Sequence, residues 1–350
     1  METVVSGIRP TGNLHLGNYF GAIKSFLKLQ EEYNCFFFIA DWHSLTTHPH
    51  PDNIRSSART ILAEYLACGI DPDKATLYLQ SDVRETAELY LYLNMNAGIG
   101  ELMRTASFKD KARKQMHIAD AESDGSVEKE IFNENNKHSV SAGLLTYPTL
   151  MAADIIIHKA VKVPVGKDQE QNMEMARRFA RRFNTTYGVE FFPEPASFYM
   201  SDKAVKVPGL DGSGKMGKSE GNAIYLVDDE KTIHKKVMKA VTDAGPKEPN
   251  SKKPEVIANL FTMMEIVSSK EAYNFFDEKY NNCEIRYGDM KKQLAEDISK
   301  FCAPIRERIL DIQSNEDYMV KVARIGAEKA HESAARTLKE VRQIIGFRPE

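Results

Sequence analysis

Along roughly the first two hundred residues, short runs of β-branched and apolar side chains alternate with longer stretches whose apolar positions recur every three or four residues. Residues 3–8, 35–40, 76–80 and 161–165 read as strands, and residues 18–33, 51–68 and 84–96 as helices. In the second helical stretch Ile54, Ala58, Ile61, Tyr65 and Leu66 share one face, and Gly69 supplies the stop. Strands alternating with helices predict a parallel α/β sheet, whose ligands bind beyond the carboxyl ends of the strands. His15, Asp41, His43 and Asp168 all fall there.

Residues 112–139 mix charged and small polar residues with little apolar period, and read as a long mobile loop. After Asp228 only helical spacing remains. Ile233, Val237 and Val241 are spaced by four, with Gly245 and Pro246 as the expected terminator. A polar linker, 247–254, leads to Val256, Leu260, Met263 and Ile266, and a last helical region runs from about 303 to 345 before Gly346. The pattern divides the chain into a sheet domain, 1–228, and a helical domain, 229–305, with 306–350 packing back on the first. A chain of 350 residues is long enough for one large or two medium domains.

Composition narrows the function classes. With 47 Lys and Arg against 50 Asp and Glu, the net charge of −3 excludes nucleic-acid binding by the whole molecular field, so any such contact needs a local patch. Cys35, Cys68, Cys283 and Cys302 are scattered without a C-x-x-C pair, which indicates neither a zinc site nor a disulfide framework. No metal site is expected. The N-terminus lacks a basic and apolar leader, and no apolar run reaches about eighteen residues. A cytoplasmic protein without membrane contact is the expectation.

Two segments far apart carry the candidate chemistry. The first, Gly7 to Asn18, holds Arg9, Pro10, Thr11, His15, Gly17 and Asn18 where a strand ends and a helix begins. Unpaired backbone N–H groups and the positive dipole end favour phosphate at such a point, and Gly17 leaves room for a nucleotide. The second is Lys215-Met216-Gly217-Lys218-Ser219. Residues 212–219 also fit the G-x-x-x-x-G-K-[ST] pattern of a P-loop kinase or ATPase, but that loop should follow a buried strand and open a helix. A third run, 144–157, sets one carboxylate, Asp154, in an almost wholly apolar neighbourhood. A buried acid needs a partner: a lysine, a backbone N–H, or the N–H of a ligand. An indole, flat and apolar with a single N–H donor, fits apolar walls bearing one acceptor.

The first two segments resemble the two signatures of class I aminoacyl-tRNA synthetases, with Asn18 in place of a second histidine and Gly217 in place of a serine. The run Tyr147 to Ile155 resembles the Tyr-Pro-x-x-Met-Ala-Ala-Asp-Ile motif of bacterial-type tryptophanyl-tRNA synthetases, and matching segments extend over nearly the whole chain. The resemblance implies a Rossmann-like catalytic domain followed by an all-helical one, and a two-step tryptophan–tRNA ligase reaction. It implies His15, Asn18, Lys215 and Lys218 as the groups acting on ATP phosphates, with Lys109 and Lys111 in a basic loop over them. Arg9, Pro10, Thr11, Gly17, Gly166, Asp168, Met216, Gly217 and Ser219 would complete the ATP site. Val5, Gly7, His43, Tyr147, Met151, Asp154, Val163, Val165 and Gln169 would bind tryptophan, Val5 standing where bacterial members often carry phenylalanine. ATP with magnesium, L-tryptophan and tRNA-Trp are the implied ligands, and a homodimer the implied assembly. Alternatives are a tyrosyl-tRNA synthetase, a small-molecule nucleotidylyltransferase and an RNA-binding paralogue that no longer activates an amino acid.

Overall fold

The structure, a computed structural model, describes residues 1–46, 51–116, 131, 140–166, 169–198, 206–218 and 220–348. In chain order, strand β1 (Thr3–Ile8) precedes the turn α1 (Leu16–Asn18), a π-helical segment Tyr19–Ile23 and α2 (Lys24–Glu32). Strand β2 (Asn34–Ile39), the short α3 (Asp41–Ser44) and α4 (Pro51–Ala67) follow. Next come β3 (Ala75–Leu79), α5 (Arg84–Met95), α6 (Ile99–Met103), α7 (Ala106–Met116), α8 (Ala142–Leu145), α9 (Tyr147–Ile156), β4 (Lys162–Pro164), α10 (Glu170–Tyr187) and β5 (Ala196–Phe198). The rest is helical: α11 (Glu230–Met238), α12 (Glu255–Val267), α13 (Lys270–Asn281), α14 (Tyr287–Ser314) and α15 (Glu316–Ile345).

All strand pairs are parallel, in the order β3-β2-β1-β4-β5. The Rossmann-like sheet reverses direction of winding between β1 and β4, and the crevice beyond their carboxyl ends is where such sheets hold ligands. Alternation of side chains along each strand gives both faces a core. Val4, Cys35, Phe37, Ile39 and Leu77 point to one cluster, which takes in Phe26 of α2, Tyr65 of α4 and, continuously, buried residues of α11 to α14. Val5, Phe36, Phe38, Tyr78 and Val163 point to the other, filled by α5, α9, α10 and the second half of α15.

Several elements depart from the sequence expectation. Residues 112–116, read as loop, are the end of α7; the remainder of that expected loop lies almost wholly outside the described residues. Ala112 and Met116 are buried with Phe108 in a small cluster of their own, a spacing of four that the flanking charges obscure. Helix α11 stops at Met238, well before Gly245. Lys291 Nζ donates to the Ala240 carbonyl at 2.6 Å and Val241 N–H turns to the Leu210 carbonyl at 3.1 Å, so tertiary partners take the backbone groups a longer helix would use. The last helical region is two helices, and the first begins at Tyr287 and passes through Pro304. One face of α14 buries Met290, Leu294, Ile298, Cys302, Ile305 and Ile309, which outweighs the hydrogen bond that the proline forfeits. Asn315 then caps α15 by accepting the Tyr318 N–H at 3.1 Å. Strand β5 was not expected, being three residues long and only partly buried.

Helix α15 returns across the sheet and lies on β3. The contact needs a glycine: a Cβ at Gly326 would stand 1.6 Å from the Leu77 carbonyl oxygen. The obstacle is backbone of a paired strand, which yields far less than a side chain. Gly326→Ala should therefore destabilise the fold by about 3 kcal/mol or more, at or beyond the upper end of ordinary overpacking. Denaturant midpoints measure it, and a loss under about 1 kcal/mol, no more than a typical substitution, would show that α15 is not seated as described.

Candidate active site

The first signature segment is anchored to a stretch two hundred residues on. Leu16 N–H donates to the Ile224 carbonyl at 3.0 Å and Leu226 N–H to the Leu14 carbonyl at 2.9 Å, an antiparallel bridge with His15 opposite Tyr225. His15 is buried at the N-cap of α1, and Asn18 Oδ1 accepts its N–H at 3.1 Å. The open space at Gly17 belongs to the imidazole itself, since a Cβ there would lie 2.9 Å from ring atoms of His15. A π-helical turn follows immediately, a distortion frequent at functional sites.

The bridge brings the lysine loop over the first segment. Lys218 Nζ donates to the Gly12 carbonyl at 2.6 Å; Met216 is buried in the core, and Lys215 is exposed. His15 is held down to about 4, first by burial and then by the charges of Lys218 and Lys215, so it is neutral at physiological pH. Lys218 is lowered to about 8, chiefly by burial, with Glu64 opposing and Arg9 adding to the shift. Asp168 and Ser219 lie outside the described residues. Among the described residues no helix occurs between Lys206 and Asp229, so the loop does not open a helix as a P-loop must.

The apolar run folds as α9, with Pro148 in its first turn, where a missing N–H does no harm. Asp154 is buried on it, three residues after half-buried Met151. Among the described residues its partners are neither lysine nor backbone. Gln80 Nε2 donates across both carboxylate oxygens at 2.8 and 2.9 Å, and His43 Nε2 meets Oδ2 at 2.9 Å. The orientation of the Gln80 amide is set by its Oε1, which accepts the His43 N–H at 3.4 Å. Burial raises the Asp154 carboxyl, and the bonds from His43 and Gln80 work against that shift. A carboxylate offers about four acceptor positions. With three used among the described residues, one remains on Oδ1 for a ligand N–H.

Tyr147 joins this pocket to the other. Its ring centroid is 4.3 Å from that of His43, and Lys111 Nζ stands 4.1 Å from it, a cation–π contact. Lys109 and Lys111 lie on α7 rather than in a loop. Burial lowers Lys111 to about 8, and the Arg9 charge adds to the shift. Arg9 thus acts on Lys111, on Lys218 and on Tyr147, and marks the boundary between the two halves of the site. Val5 and Val163 are buried in the same apolar cluster as α9, and Val165, partly buried, packs against it. Gly7 carries the Phe38 ring end where a Cβ would be, 2.5 Å away. Pro10 is buried, and Thr11 N–H closes a turn on the Arg9 carbonyl at 2.9 Å. Gly166 is exposed at the end of β4, and its carbonyl accepts the Gln169 N–H at 2.9 Å.

Two of these groups have no counterpart in the sequence reading. Gln80 was legible only as a polar residue at the carboxyl end of an expected strand. Glu64, on α4, had no signal beyond a charged position in a helix, yet it is fully buried beneath the first signature and accepts the Leu14 N–H at 2.7 Å. Burial pushes its carboxyl up to about 8 from 4.5, against the Leu14 N–H and the Lys218 charge. The folded state then binds a proton that the unfolded chain releases, so stability is full below about 4.5 and falls as pH rises through about 8. His15 has the opposite sign: its depressed value makes stability fall as pH drops from 6.5 towards about 4. Between pH 6.5 and 8 only Glu64 of this pair changes. Glu64→Gln, which keeps an oxygen for Leu14, should gain thermal stability relative to the unsubstituted protein across that interval. A difference in melting temperature that stays constant with pH would show that Glu64 takes up no proton on folding.

Comparison with known proteins bears on these features together. The family model described as tRNA synthetases class I (W and Y) matches residues 2–303. The tryptophan–tRNA ligase of Porphyromonas gingivalis is 72% identical over 348 residues, covering 99% of this chain and 100% of that protein. That of Fusobacterium nucleatum is 38% identical over 347 residues, with 99% and 98% covered. Among solved structures, the tryptophanyl-tRNA synthetase of Campylobacter jejuni complexed with ADP and tryptophan superposes with a TM-score of 0.83 at 32% identity, covering 99% of this chain and 100% of that one. The matched span holds both signature segments and the Asp154 pocket, and the chain belongs to the class I tRNA synthetases of the W and Y group.

Proposed function

We propose that the protein is a tryptophan–tRNA ligase, joining L-tryptophan to tRNA-Trp in two steps. The tryptophan carboxylate attacks the α-phosphorus of ATP, the bond to the bridging oxygen breaks, and pyrophosphate leaves with its magnesium. A hydroxyl of the terminal adenosine of the tRNA, the 2′-hydroxyl by resemblance, then attacks the acyl carbon and releases AMP. The observation that carries the reading is the acceptor position on Asp154 Oδ1 that no donor among the described residues takes, in apolar surroundings that include Met151, Val163 and Val165. An indole N–H fits it. The names of the most similar relatives support the same substrate.

The chain's own groups divide the work by charge. Lys215 and Lys218 face the negative charge that develops on departing pyrophosphate, neutral His15 offers a hydrogen bond without adding repulsion among the lysines, and Lys111 with Arg9 covers the junction. Gln80 and His43 orient Asp154. Activation needs positioning more than covalent chemistry. Residues 229–305 would recognise the anticodon; α11 and its C-cap expose Lys231, Lys235 and Lys239, a local positive surface on a chain without net positive charge. A homodimer agrees with the apolar stripe of Leu91, Met95 and Ile99, exposed by 49%, 72% and 62% along α5 and into α6. Among the described residues no helix is long and apolar enough to cross a membrane.

Exchange of labelled pyrophosphate into ATP tests the reading. It should depend on tryptophan, with tyrosine much poorer; equal or faster exchange with tyrosine would transfer the assignment to the other branch of the family. Asp154→Ala should weaken use of tryptophan by about 1–3 kcal/mol, the cost of leaving a buried donor unpaired. Lys218→Ala should slow exchange on the order of 10²–10³-fold, as loss of one preorganised charge-stabilising donor does. Tryptophan affinity unchanged by Asp154→Ala in a folded protein would sink the indole assignment.

A further inference from the structure

The lysine loop is not shaped by its own backbone alone. Asn222, nearly fully buried, sits at its centre and uses both ends of its amide. Its Nδ2 lies 2.9 Å from Asp211 Oδ1, 3.0 Å from Ser213 Oγ and 3.2 Å from the Lys215 carbonyl oxygen, and its Oδ1 accepts the Gly217 N–H at 2.9 Å. The two residues it holds, Lys215 and Gly217, bracket Met216, and Gly217 directly precedes Lys218. The loop closes round the amide so tightly that a Cβ at Gly209 would stand 2.1 Å from Asn222 Nδ2. Ser213 adds bonds to Asp211 Oδ1 at 2.7 Å and to the Lys215 carbonyl at 3.2 Å.

A second amide reaches the loop from the helical part of the chain. Asn259 on α12 donates from Nδ2 to the Gly212 carbonyl at 3.0 Å and to the Ser213 carbonyl at 3.4 Å. Beside it, Val256 packs against Gly212, whose φ of +84° is open to glycine at little strain. The loop therefore hangs between two supports: Asn222 within it and α12 beneath it.

We propose that Asn222 and Asn259 are positioning residues for activation: Asn222 sets the spacing of Lys215 and Lys218, and Asn259 fastens their loop to α12. The inference rests on the reading of these lysines as groups that act on ATP phosphates. Neither aspartate nor serine replaces the amide at position 222. An aspartate cannot donate, and would set its charge against the Asp211 carboxylate; a serine is too short to span the same partners. Because the second support comes from α12, any displacement of that helix is carried to the lysines through the Gly212 and Ser213 carbonyls.

The test uses the full chain with Asn222→Ala, Asn222→Asp and Asn259→Ala. Tryptophan-dependent pyrophosphate exchange gives kcat and the KM for ATP, equilibrium dialysis gives tryptophan affinity, calorimetry gives ADP affinity, and limited trypsin digestion reports cleavage after Lys215 and Lys218. Asn222→Ala should lower kcat/KM for ATP by about 10–100-fold, the range expected when charged groups are misplaced by on the order of 1 Å. Asn222→Asp should be at least as impaired, and Asn259→Ala should show a smaller loss of the same kind. ADP should bind more weakly, the loop should be cut faster, and tryptophan affinity should stay near that of the unsubstituted protein. Variants that fold, exchange normally and resist trypsin as before would overturn the proposal. So would losses spread equally over tryptophan and ATP, which would mark general damage. Failure of the underlying function is separable: the unsubstituted protein would then show no exchange, while trypsin cleavage and ADP affinity would still report on the two supports.

Discussion

Two backbone hydrogen bonds, Leu16 N–H to Ile224 and Leu226 N–H to Leu14, are what the candidate active site depends on. They join the segment after β1 to a stretch some two hundred residues later, and the lysine loop lies just before that stretch. With the bridge in place Lys218 reaches the Gly12 carbonyl, and the charges of both lysines act on His15. Glu64 supports the same bridge from below, through the Leu14 N–H. The close contact between signatures is thus a property of backbone pairing, with the side chains taking positions that the pairing makes available.

The two halves of the site use burial in opposite ways. Around Arg9, Lys111 and Lys218 gather with their amino groups weakened, chiefly by loss of solvent. A polyphosphate placed there would restore favourable charge to groups that burial has disfavoured, so binding and protonation favour one another. In the Asp154 pocket burial instead raises an acid, and two neutral-capable donors, Gln80 and His43, occupy most of its acceptor positions. What remains is a directional contact for one N–H in apolar surroundings. On the proposed reading, a wrong ligand would leave that polar group unpaired, which discriminates better than an apolar wall does.

How far this was legible follows from the range of each interaction. Strands β1, β2 and β3 were readable because period and composition are local, while His15 and Lys218 stood out as candidates through two paired signature segments and Asp154 as an acid in an apolar run. Gln80 and Glu64 were not readable: each is one polar residue in an ordinary element, and its role exists only where α9 or the turn at Leu14 comes to it. Lys111 was read as part of a loop because the charges of 109–115 hide the apolar pair Ala112 and Met116. The end of α11 and the passage of α14 through Pro304 were misread for a related reason. Tertiary partners such as Lys291 end α11 before its local stop signal is reached, and a long buried face carries α14 through Pro304. Gly326 is the extreme case, since a glycine inside a helical pattern says nothing of the strand carbonyl that requires it.

The same long-range packing bears on how the helical part and the sheet act on one another. Buried side chains continue from β1 through α4 to α14, so the sheet face under the first signature and the helices after residue 229 share one core. Helix α15 then returns to β3, and its Ser333 hydroxyl lies 3.0 Å from His158 Nδ1, whose Nε2 meets the Tyr78 hydroxyl at 3.0 Å. Tyr78 is on β3, two residues before Gln80, the residue that orients Asp154. Packed interiors transmit displacement rather than absorb it. A shift of α15 along its axis would press on the Leu77 carbonyl through Gly326 and on Tyr78 through His158, and both lie on the strand that carries Gln80 to Asp154. The helical third of the chain is thereby joined to the lysine loop through α12 and to the strand leading to Gln80 and Asp154 through α15, by separate contacts.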